Sequence, residues 1–351
     1  MILALLFALQ AAPVRAQTPE IAVAHTLARV ETLVASQKSK DAREIAALDR
    51  QAMGFSRDLA PYGWRAVPAL AAAAKDVKRP AKVRFLAASY LGMLGDPSSL
   101  APLSEILLDP VQDPSLRALA AQSLSGLGVP NAAVRRALCA TVAQEDLPRE
   151  ALDDALVGLK SLGCPDSVPL ARIARTFGPR PSGRDLATVR HALTVLGKSI
   201  GIESGRSLLA LAAYFPPLGD ARAAAITSLD ARRADLAVWL KPETLPVVTE
   251  ALRSESERSD TMRSLVRAAR ALGPEAAPAL GRLTVHPDAE ILADAAEALA
   301  EFKYLPAIPG LEAAVAGALA DPRFSPKEGR PDPAELLARV EKSVELLRRA
   351  R

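Results

Sequence analysis

The residues of this chain that could do chemistry are few: three histidines, two cysteines and a scatter of serines beside glycines. Gly201-Ile202-Glu203-Ser204-Gly205 comes nearest to a nucleophile elbow. That motif, Gly-x-Ser-x-Gly, lifts a serine oxygen clear of a strand-to-helix turn. Here the serine stands one place late, between segments that read as helices. Gly197-Lys198-Ser199 resembles the end of a phosphate-binding loop, but Ala192 occupies the place of its first glycine and no strand launches it. His25, His191 and His286 are followed by Thr, Ala and Pro, so no His-Glu-x-x-His pair can grip a metal from one helix face. Trp64, Trp239, Tyr90, Tyr214 and Tyr304 are dispersed and not grouped with Arg or Lys, as a base-stacking surface would require. These patterns imply no catalytic, cofactor-binding or metal-ligating residue, and they exclude nucleic acid as the partner.

The elements that would position any site follow from an internal repeat. Pro68, Pro102, Pro169, Pro246, Pro278 and Pro309 each stand one or two residues before an aliphatic side chain, at steps of 34, 67, 77, 32 and 31. The unit is therefore about 33 residues, with some positions unmarked or stretched. A second phrase runs in phase: Val83-Arg84-x-x-Ala87-Ala88-x-x-Leu91-x-x-Leu94-Gly95 returns as Leu116-Arg117-x-x-Ala120-Ala121-x-x-Leu124-x-x-Leu127-Gly128. It returns again as Ile291-Leu292-x-x-Ala295-Ala296-x-x-Leu299-x-x-Phe302-Lys303. Each unit predicts two antiparallel helices. Helix A carries the proline near its start, where a missing N–H costs little. Helix B carries the alanine phrase, whose apolar positions share one face. Gly95, Gly128, Gly163 and Gly273 follow the last apolar residue, as left-handed caps. Asp113, four residues before Arg117, is placed to cap a helix B.

These phrases resemble HEAT repeats, in particular the short alanine-rich kind also found in phycobiliprotein lyases. The resemblance covers residues 61–320 and is degenerate between 175 and 240, where Tyr214-Phe215-Pro216-Pro217 interrupts it. It implies an all-α fold: a right-handed α-α superhelix of the HEAT/armadillo type, with about eight helical hairpins. Residues 17–60 are expected to form an N-terminal helical cap, 321–333 a loop and 334–351 a C-terminal capping helix. The repeat type is silent on activity. Deoxyhypusine hydroxylases hold iron on HEAT-like repeats through His-Glu pairs, and this chain has none. Some DNA glycosylases are also built on such repeats, but they use a basic channel with grouped aromatics. A bilin lyase role would rest on fold analogy alone.

The bulk composition agrees with helices in close contact. Half of the residues are hydrophobic but only 4% are aromatic, so the core is Ala, Leu and Val. The net charge of +4, from 44 basic and 40 acidic residues, describes a mixed, solvated surface. Residues 1–9 are apolar, too short a run to cross a bilayer. With Val14 and Ala16 they fit a secretory signal cut after residue 16, although no basic residue precedes the run. The expectation is a periplasmic or secreted protein with no stable membrane insertion after cleavage. Cys139 and Cys164 are expected as buried free thiols. Extending the helix axis at about 1.5 Å per residue puts them about 15 Å apart along the hairpin, beyond disulfide reach.

In such stacks the B helices line the concave side. If Ala87, Leu91 and Leu94 face the core, then Lys82, Leu86, Ser89 and Met93 face away. The same register turns Ser115, Leu119, Gln122 and Gly126 outward in the next repeat, and Glu290, Asp294, Glu297 and Glu301 near the end. The expected function is a non-enzymatic scaffold or adaptor that binds another protein through this face. Leu86, Met93 and Leu119 would be its apolar anchors, with Gln122 on the same face, and the four carboxylates would select a basic stretch. The alternatives are an enzyme or chromophore-binding protein using the same groove, or a cytosolic regulator. Arg84 and Arg117 are expected to be structural, bridging repeats to carboxylates.

Overall fold

The structure, a computed structural model, describes residues 18–36, 42–127, 132–145, 147–254, 259–317 and 331–351. The proposed signal, Gly128 and most of the loop 321–333 lie outside these residues. Among the described residues there are nineteen α-helices and no strand. They fall into two compact units, Met1–Leu159 and Lys160–Arg351.

The first unit holds α1 (Pro19–Ser36), α2 (Ala42–Gly54), α3 (Val67–Lys75), α4 (Ala81–Met93), α5 (Leu100–Leu108), α6 (Pro114–Gly126), α7 (Ala132–Val142) and α8 (Arg149–Leu159). Consecutive helices pair as A/B hairpins from α3/α4 onward, and each B helix packs on the next one, α4 on α6 and α6 on α8. The second unit continues with α9 (Val168–Thr176), α10 (Gly183–Lys198), α11 (Ile202–Tyr214), α12 (Asp220–Asp230), the short α13 (Arg233–Trp239), α14 (Lys241–Ser254) and α15 (Ser259–Leu272). It ends with α16 (Ala277–Leu280), α17 (Ala289–Glu301), α18 (Ile308–Gly317) and α19 (Pro333–Arg349). Counted from α3, the described residues form eight hairpins, with α13 inserted before the sixth. The final helix, anticipated as a cap, occupies the B position opposite α18 and packs on α17.

The prolines stand where helix A begins. In four repeats a 3₁₀ turn (Ala60–Ala66, Pro97–Ser99, Pro274–Ala276 or Leu305–Ala307) runs straight into the α-helix, and the repeat's proline is that helix's second or third residue. An N–H there has no intrahelical acceptor, so its absence removes no bond. Pro246, inside α14, is the exception. Asp113 does cap α6, accepting from the Ser115 N–H at 2.8 Å.

Small residues set how close the B helices lie. The alanine pairs 87/88, 120/121 and 295/296 are fully buried. A methyl group on Gly92 of α4 would stand 2.5 Å from Ser123 Oγ and 2.7 Å from its Cβ on α6. Gly158 of α8 faces Ser125 of α6, and Gly197 of α10 faces Ser228 of α12, in the same way. Glycine opposite serine thus brings neighbouring B helices nearly to backbone contact.

Cys139 and Cys164 are disulfide-bonded, which corrects the expectation of free thiols. That expectation carried the helix axis past its true end. Helix α8 stops at Leu159, and Gly163, at φ 64°, reverses the chain before Cys164. A side chain on Gly163 would also strike the Lys198 carbonyl at 2.5 Å, so only glycine fits the turn. Cys164 is buried and its N–H donates to Ser199 Oγ at 2.9 Å.

Candidate functional site

Ser199, Ser204 and His286 are engaged in holding helix ends, whereas His25 is exposed on α1 and His191 lies within α10. Ser204 is buried at the start of α11, where its hydroxyl donates to the Gly201 carbonyl at 2.8 Å and accepts from Arg232 Nη1. Arg232, also buried, donates through Nη2 to the Gly201 carbonyl at 2.8 Å. Ser199 Oγ donates to the Val195 carbonyl at 2.7 Å. His286 closes the 3₁₀ turn before α17, its Nδ1 accepting from the Asp288 N–H at 3.0 Å. No group of His, Cys, Asp or Glu among the described residues could hold a metal ion.

Arg84 and Arg117 do bridge repeats, but not to carboxylates. Arg84 Nε donates to the Ala74 carbonyl at 3.1 Å and Nη2 to Gln112 Oε1 of the following loop. Thirty-three residues on, Arg117 Nε donates to the Leu107 carbonyl at 3.0 Å and Nη2 to Gln144 Oε1. Each guanidinium therefore satisfies a carbonyl at the end of its own helix A and reaches one loop ahead. The carboxylate stands one place further back: Asp109 accepts from Gln112 Nε2 at 2.8 Å. That bond, with the Val111 N–H, holds the Asp109 carboxyl below the usual aspartate range.

The outward register holds on α6 and fails on α4. Gln122 is exposed and Leu119 half-buried, whereas Leu86 is only 2% exposed and cannot anchor a partner. The physical reason is α2, which lies across that side of α4. Asp49 pairs with Lys82 at 2.7 Å, and the Tyr90 hydroxyl donates to the Ala52 carbonyl. Burial pushes the Tyr90 phenol above the ordinary tyrosine range. Met93, beyond the reach of α2, remains 54% exposed.

In the second unit the carboxylate stripe of α17 does face outward, but it is not open to a basic partner. Glu290 pairs with Arg263 at 2.6 Å and Asp294 with Arg339 at 2.6 Å. Glu297 pairs with Arg339 at 2.7 Å and with Arg270 at 3.7 Å, and Glu301 with Arg270 at 2.7 Å. Arg263 and Arg270 come from α15 and Arg339 from α19, so basic rows flank the acidic one on both sides. The hydrogen bond from Arg339 holds the Glu297 carboxyl below the ordinary glutamate range. Sequence reading located the four carboxylates but not their partners. Part of the signal for them was present in Arg263 and Arg270, seven residues apart on one face of α15; Arg267 between them pairs with Asp230 of α12 instead.

One apolar feature was not anticipated. Trp239 is 67% exposed beside Ile200 and Ile202, around a shallow pocket of about 300 Å³ whose lining includes Arg232 and Asp235. Trp64 is also exposed, with the Arg65 guanidinium 5.6 Å from its ring.

Human deoxyhypusine hydroxylase in complex with glycerol is similar at 17% identity and a TM-score of 0.30, over 80% of this chain and 97% of that one. The complex of CpcE and CpcF of phycocyanin lyase from Nostoc sp. PCC7120 is similar at 22% identity and a TM-score of 0.32, over 74% of this chain and 96% of that one. No curated protein matches the chain. The family model described as HEAT repeats matches residues 33–125, from the end of α1 to the end of α6. With hairpins, capping aspartate and repeated arginine hooks all in phase across that span, residues 33–125 are HEAT repeats.

Proposed function

We propose that the protein is a non-enzymatic scaffold that binds another protein along its B helices. The observation that carries this reading is the division of labour within the first unit. Its buried arginines, Arg84 and Arg117, are engaged in joining repeats, while Met93, Leu119 and Gln122 project from the consecutive B helices α4 and α6. An apolar strip with a polar edge suits a helix or extended segment of a partner, anchored by one or two aliphatic side chains. The test is a photo-cross-linker at Gln122 in the full chain. One protein adduct is expected, and Met93→Glu with Leu119→Glu should abolish it while leaving helical content unchanged. No adduct, or an adduct indifferent to the double substitution, refutes the reading.

The proposal includes export to the periplasm or beyond. The bonded state of both cysteines supports it, since disulfides persist in oxidising compartments and are rare in the cytosol. Intact mass and cell fractionation check it: loss of residues 1–16 and recovery with the envelope are expected. Full-length protein with reduced thiols in the cytosol would overturn it.

A further inference from the structure

We infer that the C-terminal hairpin carries a binding pocket for an acidic segment of a partner protein, opposite in sign to the basic segment that the α17 stripe suggested. The inference rests on the scaffold reading and deepens it. The pocket, of about 490 Å³, lies among α15, α17 and α19. Four cations line it, Arg270, Lys303, Arg339 and Lys342, against two carboxylates, Glu297 and Glu301. Both carboxylates are already paired with the arginines, and Arg339 takes Asp294 as well. Even with Asp294 counted, cations outnumber carboxylates. Lys303 and Lys342 are exposed and, among the described residues, form no close ion pair; the Lys342 charge is felt only at a distance by Glu297. Their ammonium groups are the pocket's least engaged charges, and Leu346, 47% exposed, gives it an apolar wall.

A second observation points to Lys303 itself. In the two matching phrases the residue after the last apolar position is glycine, and Gly95 adopts φ 64° there. In the third phrase the position is Lys303, held at φ 54° by the same cap, with its N–H donating to the Ala300 carbonyl and the Tyr304 N–H to Leu299. A side chain in the left-handed region is strained where glycine is not. Among the described residues nothing pairs with this lysine, and its side chain is exposed. The strain brings a cation to the pocket rim, and strain kept at a site is a pointer to use. A protein segment suits the lining better than nucleic acid, since no aromatic ring lines the pocket to stack a base.

The full chain is titrated with a fluorescein-labelled peptide of alternating glutamate and leucine, with a lysine–leucine peptide as control. Binding of the acidic peptide alone is expected. Lys303→Gly and Lys342→Gln together should weaken it about tenfold, as loss of two charge-assisted contacts would. Lys303→Gly alone should weaken binding while raising the urea midpoint, a pairing that a purely structural lysine would not give. Equal binding by the double variant overturns the proposal, as does tighter binding of a ribonucleotide oligomer or displacement by inorganic phosphate alone. Cross-linking to the native partner separates the two readings. Equal recovery by wild type and double variant overturns the pocket only, whereas no recovery by either overturns the scaffold.

Discussion

Gly92→Ala sets two forces against each other, and the structure decides which wins. On an isolated helix the change stabilises by about 1 kcal/mol, because alanine is the better helix former. In the folded protein the new methyl would sit 2.5 Å from Ser123 Oγ, 2.7 Å from its Cβ and 3.4 Å from its Cα. The hydroxyl can rotate away. The Cβ cannot, and carbon–carbon contact is comfortable only at about 3.5–4.0 Å, so α4 and α6 must part by about 1 Å. Overpacking of this kind costs about 1–3 kcal/mol, and the displaced helices also loosen the alanine pairs beneath them. The net expectation is destabilisation by about 1–2 kcal/mol. Urea unfolding of the full chain, followed by circular dichroism and by hydrogen exchange of α4 and α6, reads it. Ser123→Gly in the same chain removes the obstruction and should recover most of the loss, a coupling of about 1 kcal/mol or more between residues on different repeats. If Gly92→Ala stabilises the protein, α4 and α6 do not approach as described and the small-residue account of B-helix packing is wrong.

Arg117→Met keeps the aliphatic stem but leaves the buried Leu107 carbonyl without its donor, so a loss of about 2 kcal/mol is expected in the same urea assay. Gln144→Ala should cost less than about 1 kcal/mol, because Gln144 is only half-buried and the guanidinium can take water. Leu86→Glu should unfold the first unit, since a carboxylate beneath α2 has no partner, whereas Met93→Glu should fall within about 0.5 kcal/mol of wild type; circular dichroism separates them. The acid limb follows from Glu297. Its pKa is lower folded than unfolded, so its contribution is full above the ordinary glutamate value and is lost as pH falls through the depressed one. Protection of α19 amides should therefore drop as pH falls below about 4.5, and Glu297→Gln should flatten that dependence.

The fold was legible because repetition multiplies a weak signal. One alanine phrase is an ambiguous helix, but three in phase with a series of prolines define a hairpin and its spacing. Capping by Asp113 and the turns at Gly95 and Gly163 are local, and were readable for that reason. The surface was less legible, because exposure depends on neighbours far away in sequence. Leu86 and Leu119 hold the same place in the phrase, yet α2 covers one and leaves the other half open. The carboxylates of α17 were placed correctly as a row, while their neutralisation depended on how α15 and α19 align beside them. The cysteines were misjudged because one glycine turned the chain where an extended axis was assumed.

The arginine hooks of the first unit all reach the same way. Arg84 waits for Gln112 and Arg117 for Gln144, each in the repeat that a ribosome delivers next. While each of these two repeats is the last one made, the nascent chain therefore carries an unfilled guanidinium that the next loop closes. Deletions inherit this polarity. Trimming the unit from its N-terminal side strands an uncharged glutamine amide that can turn to water. Trimming it from the C-terminal side strands a buried charge, so the stack should tolerate shortening from the front better than from behind.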